Sequence, residues 1–288
     1  MKLKIVPVVT PFKEGKIDGE KFIHHCMSLL SVGVNYVFIS GTTGLGPSLS
    51  INERMDLIKL SSNFADKAIM QVGSMNLEDS IKLARMAKEN GIYGISALPP
   101  YYFGGIPEEW LIKYYVEISK IIPTFIYNYP KFTGYDINSS LAIKINKAGG
   151  NIIGVKDTIA DISHMLSYRD LGNDFIILSG PSNSIYEALR SGVDGSVAAA
   201  GNFMPKTFIE LADKFEAEAS FKLQKYINSV LSIANEYGSW SAYYSLIKIL
   251  RRYSAGDSRA PFYPLNALDE EKLRHDVFFV LPEEQRHQ

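Results

Sequence analysis

The 288-residue sequence lacks several features that mark common functional classes. Its single cysteine, Cys26, excludes an internal disulfide and fits a reducing compartment. A net charge of −1 gives no overall field to attract nucleic acid or an anionic membrane. No run of eighteen apolar residues occurs, and the apolar start is too short for a signal peptide, with Pro7 and Pro11 inside it. We therefore expect a cytoplasmic protein without nucleic-acid or membrane partners.

Motifs for metal, nucleophilic-serine and dinucleotide chemistry are also missing. The chain has five histidines, no HExxH and no cysteine cluster, so we expect no metal site. His24 and His25 are adjacent in a helical pattern and point in different directions, as ordinary helix residues do. GxSxG is absent, and no GxGxxG follows the first apolar run.

Short apolar runs recur at roughly the spacing of one strand–helix unit, about 25–30 residues. They are apolar throughout, as parallel strands covered on both faces are. Predicted strands lie at 3–9, 35–40, 68–73, 93–98, 123–128, 152–156, 175–179 and 193–199. Eight such units favour a (β/α)8 TIM barrel, with an open doubly wound sheet as the alternative.

Helix signals fill the gaps between these runs. Ser50 and Glu53 form a capping box, Asn76 precedes an acidic first turn, and Pro107 is expected at a first helical position. After about residue 200 the strands stop. Helices are predicted at roughly 205–216, 219–236, 240–253 and 268–278. We therefore predict a barrel over residues 1–215 and a helical appendage over 216–288 packed on it.

Lys156 ends the sixth predicted strand, where the barrel fold places active-site residues. By strict alternation Ile152, Gly154 and Lys156 share one face, so Gly154 would leave room for a ligand or a bulky neighbour. A desolvated lysine at a barrel mouth can form a Schiff base. The alternatives are an ion pair with Asp157 or a distant carboxylate, or escape of the amine to solvent.

The ends of the fifth and second predicted strands carry further polar groups. Tyr127 and Tyr129 share one face after the fifth run; a tyrosine there can move a proton, or can simply pack. The loop with Thr42, Thr43 and Gly44 has three glycines within six residues, which suits an anion nest for a carboxylate or a plain tight turn. After the fourth run, an aromatic loop at 99–105 could cover the site or a subunit contact.

Taken in order, the segments PVVTPF, GTTG, PPYY, YNYP, GVKDT and LSG resemble the dihydrodipicolinate synthase / N-acetylneuraminate lyase superfamily over essentially the whole chain. The resemblance implies a (β/α)8 barrel, usually a homotetramer, that performs metal-independent Schiff-base chemistry. It implies Lys156 as the Schiff-base lysine and Tyr127 as the proton-transfer residue. Thr42 and Thr43 would serve the relay and bind the carboxylate. Tyr102 matches a tyrosine lent to a neighbouring subunit.

Within this superfamily the loop sequence is most similar to archaeal 2-keto-3-deoxygluconate aldolases. The resemblance therefore implies cleavage of that keto sugar acid to pyruvate and glyceraldehyde, with no cofactor beyond a covalent imine through Lys156. Binding residues would include Pro7, Gly44, Tyr129, Gly180 and Ser182.

The sequence departs from two groups of relatives. Leu45 and Phe132 stand where dihydrodipicolinate synthases carry a glutamate and an arginine. Gly104 to Ile106, Asn235 and Glu236 stand where phosphate-accepting relatives are expected to carry arginines, so we expect a preference for the unphosphorylated sugar acid. The open alternatives are a sister lyase or dehydratase, a dihydrodipicolinate synthase with an unusual carboxylate clamp, and a non-enzymatic binding barrel.

Overall fold

A computed structural model describes residues 2–288. Eight parallel strands close into a barrel in which β1 pairs with both β2 and β8. The strands are β1 Leu3–Pro7, β2 Tyr36–Ile39, β3 Ala68–Gln71, β4 Gly94–Ala97, β5 Thr124–Asn128, β6 Ile152–Asp157, β7 Ile176–Ser179 and β8 Gly195–Val197. All eight predicted strands are present, so the TIM-barrel prediction is confirmed.

The α-helices surround the barrel, with one short helix after β5. They are α1 Gly19–Ser31, α2 Ile51–Leu60, α3 Leu77–Glu89, α4 Glu108–Ser119, α5 Pro130–Thr133, α6 Ser139–Lys147, α7 Ile162–Ser167, α8 Ile185–Arg190, α9 Pro205–Asp213, α10 Ser220–Glu236, α11 Ser239–Arg251 and α12 Ala267–Val280. Among residues 2–288, no helix is long and apolar enough to cross a membrane.

Helix starts follow the capping chemistry read from the sequence, with one correction. The Ser50–Glu53 capping box opens α2, and Asn76 caps α3. Pro107, however, lies one residue before the first helical residue of α4 rather than at it. Its extended backbone (ψ 142°) is not helical, so the acidic first turn begins at Glu108.

Two apolar layers hold the barrel together. The outer layer lies between strands and helices, and one large cluster of buried side chains fills it. The inner layer fills the barrel itself with eight buried side chains: Ile5, Phe38, Ile69, Leu98, Phe125, Tyr127, Leu178 and Val197. Because the interior is packed, the free space lies at the carboxyl ends of the strands.

The last three helices follow the barrel and extend its wall. Helix α10 packs on α8 and α9, and it also contacts α11 and α12. Residues of α10 and α11 reach the mouth of the barrel. The division at residue 215 stays a prediction. A short antiparallel hairpin, Phe12–Lys13 with Lys16–Ile17, lies between β1 and α1 and was not predicted.

Candidate active site

Lys156 projects into the barrel from the end of β6. It is 5% exposed, and its Nζ lies 3.8 Å from the ring centroid of Tyr127 and 4.8 Å from that of Phe38. Within residues 2–288 the amine has neither an ion pair nor a hydrogen bond to the protein. Burial lowers the pKa of Lys156 from 10.5 to about 7, with no compensating carboxylate. An amine with this pKa is uncharged often enough near neutral pH to attack a carbonyl.

The structure excludes both alternatives to a reactive Lys156, an ion pair with Asp157 and escape of the amine to solvent. Asp157 does not pair with it, because side chains alternate along a strand and Asp157 points to the outer face, where His164 lies 2.6 Å away. Nor does the amine escape to solvent, since Lys156 is buried. What remains is a buried amine with the aromatic rings of Tyr127 and Phe38 around it and no anion in contact.

The strict alternation predicted for β6 is wrong at its start. The pairing with β5 shifts between Thr124 and Phe125, so that three residues of β6, 152–154, match two of β5. As a result Ile152 packs in the outer layer and Ile153 in the inner one. Gly154 does not leave a void: a Cβ there would come within 2.8 Å of the Phe125 ring and 2.5 Å of the Ile176 carbonyl oxygen. The expected bulky neighbour is Phe125, which closes the floor beneath Lys156.

Tyr127 pairs with Lys156 across the β5–β6 ladder and shares a hydrogen bond with the hydroxyl of Thr42, at 3.0 Å. Burial raises the pKa of the Tyr127 phenol, although the bond to Thr42 opposes the rise. The phenol therefore holds its proton at rest and can move it only by giving it to, or taking it from, an adjacent group. Thr42 is the adjacent group.

The threonine loop between β2 and α2 is tightly built. Ser40 and Leu45 adopt left-handed backbone conformations (φ 58° and 56°) at its two ends. Gly46 packs so closely that a Cβ there would lie 1.8 Å from the Ser40 carbonyl oxygen. The loop carbonyl of Gly44 accepts a hydrogen bond from the Thr10 hydroxyl at 2.6 Å. This construction fixes Thr42 and Thr43 at the cavity.

Arg54 supports this loop from behind and was missed in the sequence. Its buried guanidinium donates to the Ser40 hydroxyl (3.2 Å), the Gln71 carbonyl (2.6 Å) and the Gly73 carbonyl (3.3 Å). Burial lowers the pKa of Arg54 to about 10. Its position directly after the capping-box residue Glu53 was the available signal, but its partners come from two other strand ends.

A cavity of about 300 Å³ opens above Lys156. It collects eight of the predicted site residues: Pro7, Thr42, Thr43, Tyr127, Tyr129, Lys156, Gly180 and Ser182. Gly44 does not line it and acts through the loop. The outer wall comes from α10 and α11 through Leu231, Asn235, Trp240 and Tyr243. Among these wall residues, sequence reasoning singled out Asn235 alone.

An adjoining chamber of about 470 Å³ shares Thr42, Tyr129 and Trp240 with this cavity and is mainly apolar. Tyr101 of the aromatic loop lines it. Tyr102 lines neither space: it is 82% exposed, with a left-handed backbone (φ 79°) and its ring edge-on to Phe103. A single chain therefore does not bring Tyr102 to Lys156.

The chain that carries this lysine, tyrosine and threonine loop is similar to known proteins. Residues 2–278 match the dihydrodipicolinate synthetase family. The chain belongs to this family. This confirms the resemblance read from the sequence. In the part of the chain that the structure describes, no cluster of three or more histidine, cysteine or acidic side chains could hold a metal ion.

Individual relatives in the family cover nearly the whole chain. A 2-dehydro-3-deoxy-phosphogluconate/2-dehydro-3-deoxy-6-phosphogalactonate aldolase of Sulfurisphaera tokodaii is 38% identical over 288 residues, covering 98% of each chain. A crystal structure of KD(P)GA from T. tenax superimposes with a TM-score of 0.92 at 33% identity, covering 97% of this chain and 99% of that one.

A second solved structure, the 2-keto-3-deoxygluconate aldolase of Sulfolobus in complex with D-KDPG, has a TM-score of 0.91 at 36% identity, covering 97% of this chain and 96% of that one. These relatives bear out the aldolase class expected from the sequence.

Proposed function

We propose that this protein is a class I aldolase that reversibly cleaves 2-keto-3-deoxygluconate, also called 2-dehydro-3-deoxygluconate, to pyruvate and glyceraldehyde. The observation that carries the proposal is the unpaired, buried amine of Lys156 beside the Tyr127–Thr42 hydrogen bond. The amine supplies the nucleophile, and the phenol–hydroxyl pair supplies a path for a proton. No metal or cofactor is required, because the iminium itself is the electron sink.

The reaction follows from these positions. The Lys156 amine adds to the C2 ketone, and loss of water gives an iminium. As the C4 hydroxyl gives its proton to Tyr127, the C3–C4 bond breaks, its electron pair passes to the iminium, and glyceraldehyde leaves. Since burial disfavours a tyrosinate, Tyr127 passes its own proton to Thr42 in the same step. The enamine is protonated at C3, and water releases pyruvate.

The remaining cavity residues divide between the two ends of the substrate. Thr43, on the glycine-rich loop, lines the cavity and is suited to hold the C1 carboxylate, while Gly44 shapes the loop behind it. Tyr129 and Ser182 line the other side and carry hydroxyl groups that can meet the sugar hydroxyls. Pro7 and Gly180 complete the wall without bulky side chains that would narrow it.

Thr42 must exchange its proton with solvent, and this step gives Tyr102 a role. Thr42 lines both the reaction cavity and the adjoining chamber. Tyr102 is exposed on its own chain. We therefore include in the proposal a homotetramer in which Tyr102 of a neighbouring subunit enters that chamber and completes the relay. A cytoplasmic location, expected from the single cysteine and the lack of targeting signals, is part of the same proposal.

The direct test is trapping with pyruvate and borohydride, followed by peptide mass spectrometry. Hydride reduces an iminium to a stable secondary amine, so a pyruvate adduct on Lys156 is the expected result. A panel of 2-keto-3-deoxygluconate, N-acetylneuraminate and aspartate semialdehyde then separates the aldolase from sister lyases and from a dihydrodipicolinate synthase. An adduct-free protein would leave only the binding-barrel alternative.

We also propose a preference for the unphosphorylated substrate, although several relatives are named for phosphorylated ones. Asn235 at the outer wall is neutral. The cation lining the space beyond it is Lys131, which cannot grip a phosphate in the bidentate manner of arginine. We expect kcat/KM for 2-keto-3-deoxygluconate to exceed that for its 6-phosphate. Lys131→Ala should lower only the latter, and equal values for both substrates in the unaltered enzyme would contradict the preference.

A further inference from the structure

Behind Lys156, on the outer face of β6, lies a buried carboxylate that the proposed mechanism does not use. The Asp157 side chain is fully buried. It accepts hydrogen bonds from the Ile159 amide at 3.0 Å and the Asn128 side-chain amide at 3.2 Å. Its other oxygen lies 2.6 Å from Nδ1 of His164 on α7. A buried carboxylate with this many partners is held in one orientation.

The same histidine reaches a second carboxylate. Nε2 of His164 lies 3.1 Å from Asp136, in the segment between α5 and α6. The Asn128 amide also donates to Asp136, at 2.9 Å, and the Asn128 carbonyl accepts from the Ile137 amide. Asp157, His164, Asp136 and Asn128 therefore form a closed ring of hydrogen bonds. We call these four residues the carboxylate–histidine ring.

The ring is tied to the two strands that carry the chemistry. Asn128 directly follows Tyr127 on β5, and Asp157 directly follows Lys156 on β6. The two pairs are in register across the ladder, Tyr127 with Lys156 and Asn128 with Asp157. Inward-facing residues therefore supply the reactive groups, while the next residue of each strand enters the ring on the other face.

The charges of the ring depend on the histidine. Partial burial acts to lower the pKa of His164, but the charges and hydrogen bonds of Asp157 and Asp136 outweigh it and raise the pKa. The other titratable group facing the imidazole is Tyr168, packed edge-on at 5.7 Å, and burial raises the pKa of its phenol. His164 therefore keeps its proton to higher pH than a free histidine does.

Loss of that proton would leave the buried side of β6 strongly negative. Burial raises the pKa of the Asp157 carboxyl, while the Ile159 amide and His164 act against the rise. An uncompensated anion one residue from Lys156 would favour the ammonium form of the amine.

We propose that His164, with Asp157 and Asp136, is a positioning residue for Schiff-base formation. Its imidazolium offsets the carboxylate behind Lys156, which keeps the amine uncharged and the ends of β5 and β6 in register. The inference rests on the proposed function, because it assumes that Lys156 is the reacting amine.

The test measures the rate of pyruvate trapping by cyanoborohydride between pH 5.5 and 9.5. The unaltered protein is compared with His164→Gln and with a matched control, His275→Gln, whose histidine is 80% exposed beside Asp276 on α12. We expect His164→Gln to shift the midpoint of trapping upward by about one pH unit. Trapping would then be about tenfold slower at pH 6 and equal to the unaltered rate at pH 9. The control should not change.

Two further variants distinguish charge from packing. Adding Asp157→Asn to His164→Gln removes the uncompensated anion and should return the midpoint toward that of the unaltered protein. Asp136→Asn removes the outer carboxylate, which is 40% exposed, and should move the midpoint slightly down rather than up. Thermal unfolding of each variant checks that the fold is intact.

The outcomes separate the inference from the function on which it rests. His164→Gln could slow pyruvate trapping by the same factor at every pH, with no recovery in the double variant. That result would mean that the histidine acts through packing, and it would overturn the inference but not the proposed function. An unchanged midpoint in His164→Gln would overturn it too. If the unaltered protein forms no adduct on Lys156, the proposed function fails first.

Discussion

Two lysines of the barrel are equally buried and entirely different in their surroundings. Lys4 on β1 and Lys156 on β6 are each 5% exposed. Near the amino end of the barrel, the Lys4 amine forms an ion pair with Asp213 of α9, at 2.5 Å. At the carboxyl end, the Lys156 amine faces the rings of Tyr127 and Phe38 and has no anion. Burial alone therefore does not make a lysine reactive; burial without a counter-ion does.

The largest expected effect separates the two lysines by activity. Lys156→Ala should reduce aldol cleavage below detection, because among the described residues Lys156 alone brings an amine to the cavity, while Lys4→Ala should keep near-normal kcat. Pyruvate release from 2-keto-3-deoxygluconate measures both. Circular dichroism should show both variants folded, and measurable turnover in Lys156→Ala would remove the basis of the comparison.

The second prediction concerns the phenol ring of Tyr127, which covers the reactive amine of Lys156. Tyr127→Phe keeps this aromatic face but removes the hydroxyl bonded to Thr42. We expect kcat to fall by roughly 10²–10⁴-fold, as for other acid–base groups, while pyruvate still forms a trapped adduct. Lost trapping in this variant would mean that the tyrosine acts by packing. Tyr115→Phe, at a buried tyrosine of the outer layer, is the matched control.

The third prediction follows from the pKa of Lys156, about 7. The rate of adduct formation with pyruvate should fall about tenfold for each pH unit below that value, as the amine becomes protonated. Above it, the rate should level off. An exposed lysine would give a rate that still rises between pH 8 and 10, and that profile would contradict the desolvated amine.

The smallest predicted effect is on stability, and it has opposite signs at the two lysines. Burial lowers the pKa of Lys156, so between about pH 7 and 10.5 the unfolded chain binds the proton more tightly and stability rises with pH. At pH 7, Lys156→Met should therefore raise the free energy of unfolding by about 2 kcal/mol. The gain should shrink toward pH 10.

Lys4→Met should instead lower the free energy of unfolding by up to about 1 kcal/mol. The substitution breaks the ion pair with Asp213, whose carboxylate is half-exposed. Urea unfolding at fixed protein concentration measures both changes. A stabilised Lys4→Met, or a destabilised Lys156→Met, would show that the pairing difference does not set the energies.

The fold could be predicted well because its signals are local. Each barrel strand is a short apolar run, and several helices start at a recognisable cap such as Ser50 or Asn76. The errors in the prediction lie where contacts with a neighbouring strand, rather than the local sequence, set which way a side chain points. The shift at Ile153 depends on how Phe125 of the adjacent strand packs against Gly154, and no pattern within β6 contains that information.

Which residues meet at the candidate site was predictable for the same reason. Lys156, Tyr127 and Thr42 each end a strand or begin the loop after it, so the barrel topology brings them together. Arg54 and His164 were missed because their partners lie on other strand ends and loops. Trp240 and Tyr243 were missed because helices far along the chain fold back over the mouth.

The outer wall of the cavity has a consequence for how such proteins diversify. The groups to which we assign the making and breaking of bonds come from strands and loops before residue 160, whereas Leu231, Asn235 and Trp240 of the outer wall come from the last quarter of the chain. The proposed reactive groups and this part of the substrate-facing wall thus lie in separate stretches of the sequence. A chimera that exchanges only the final helices should keep the chemistry of the parent that supplies the strands and change only those substrate preferences that depend on the outer wall.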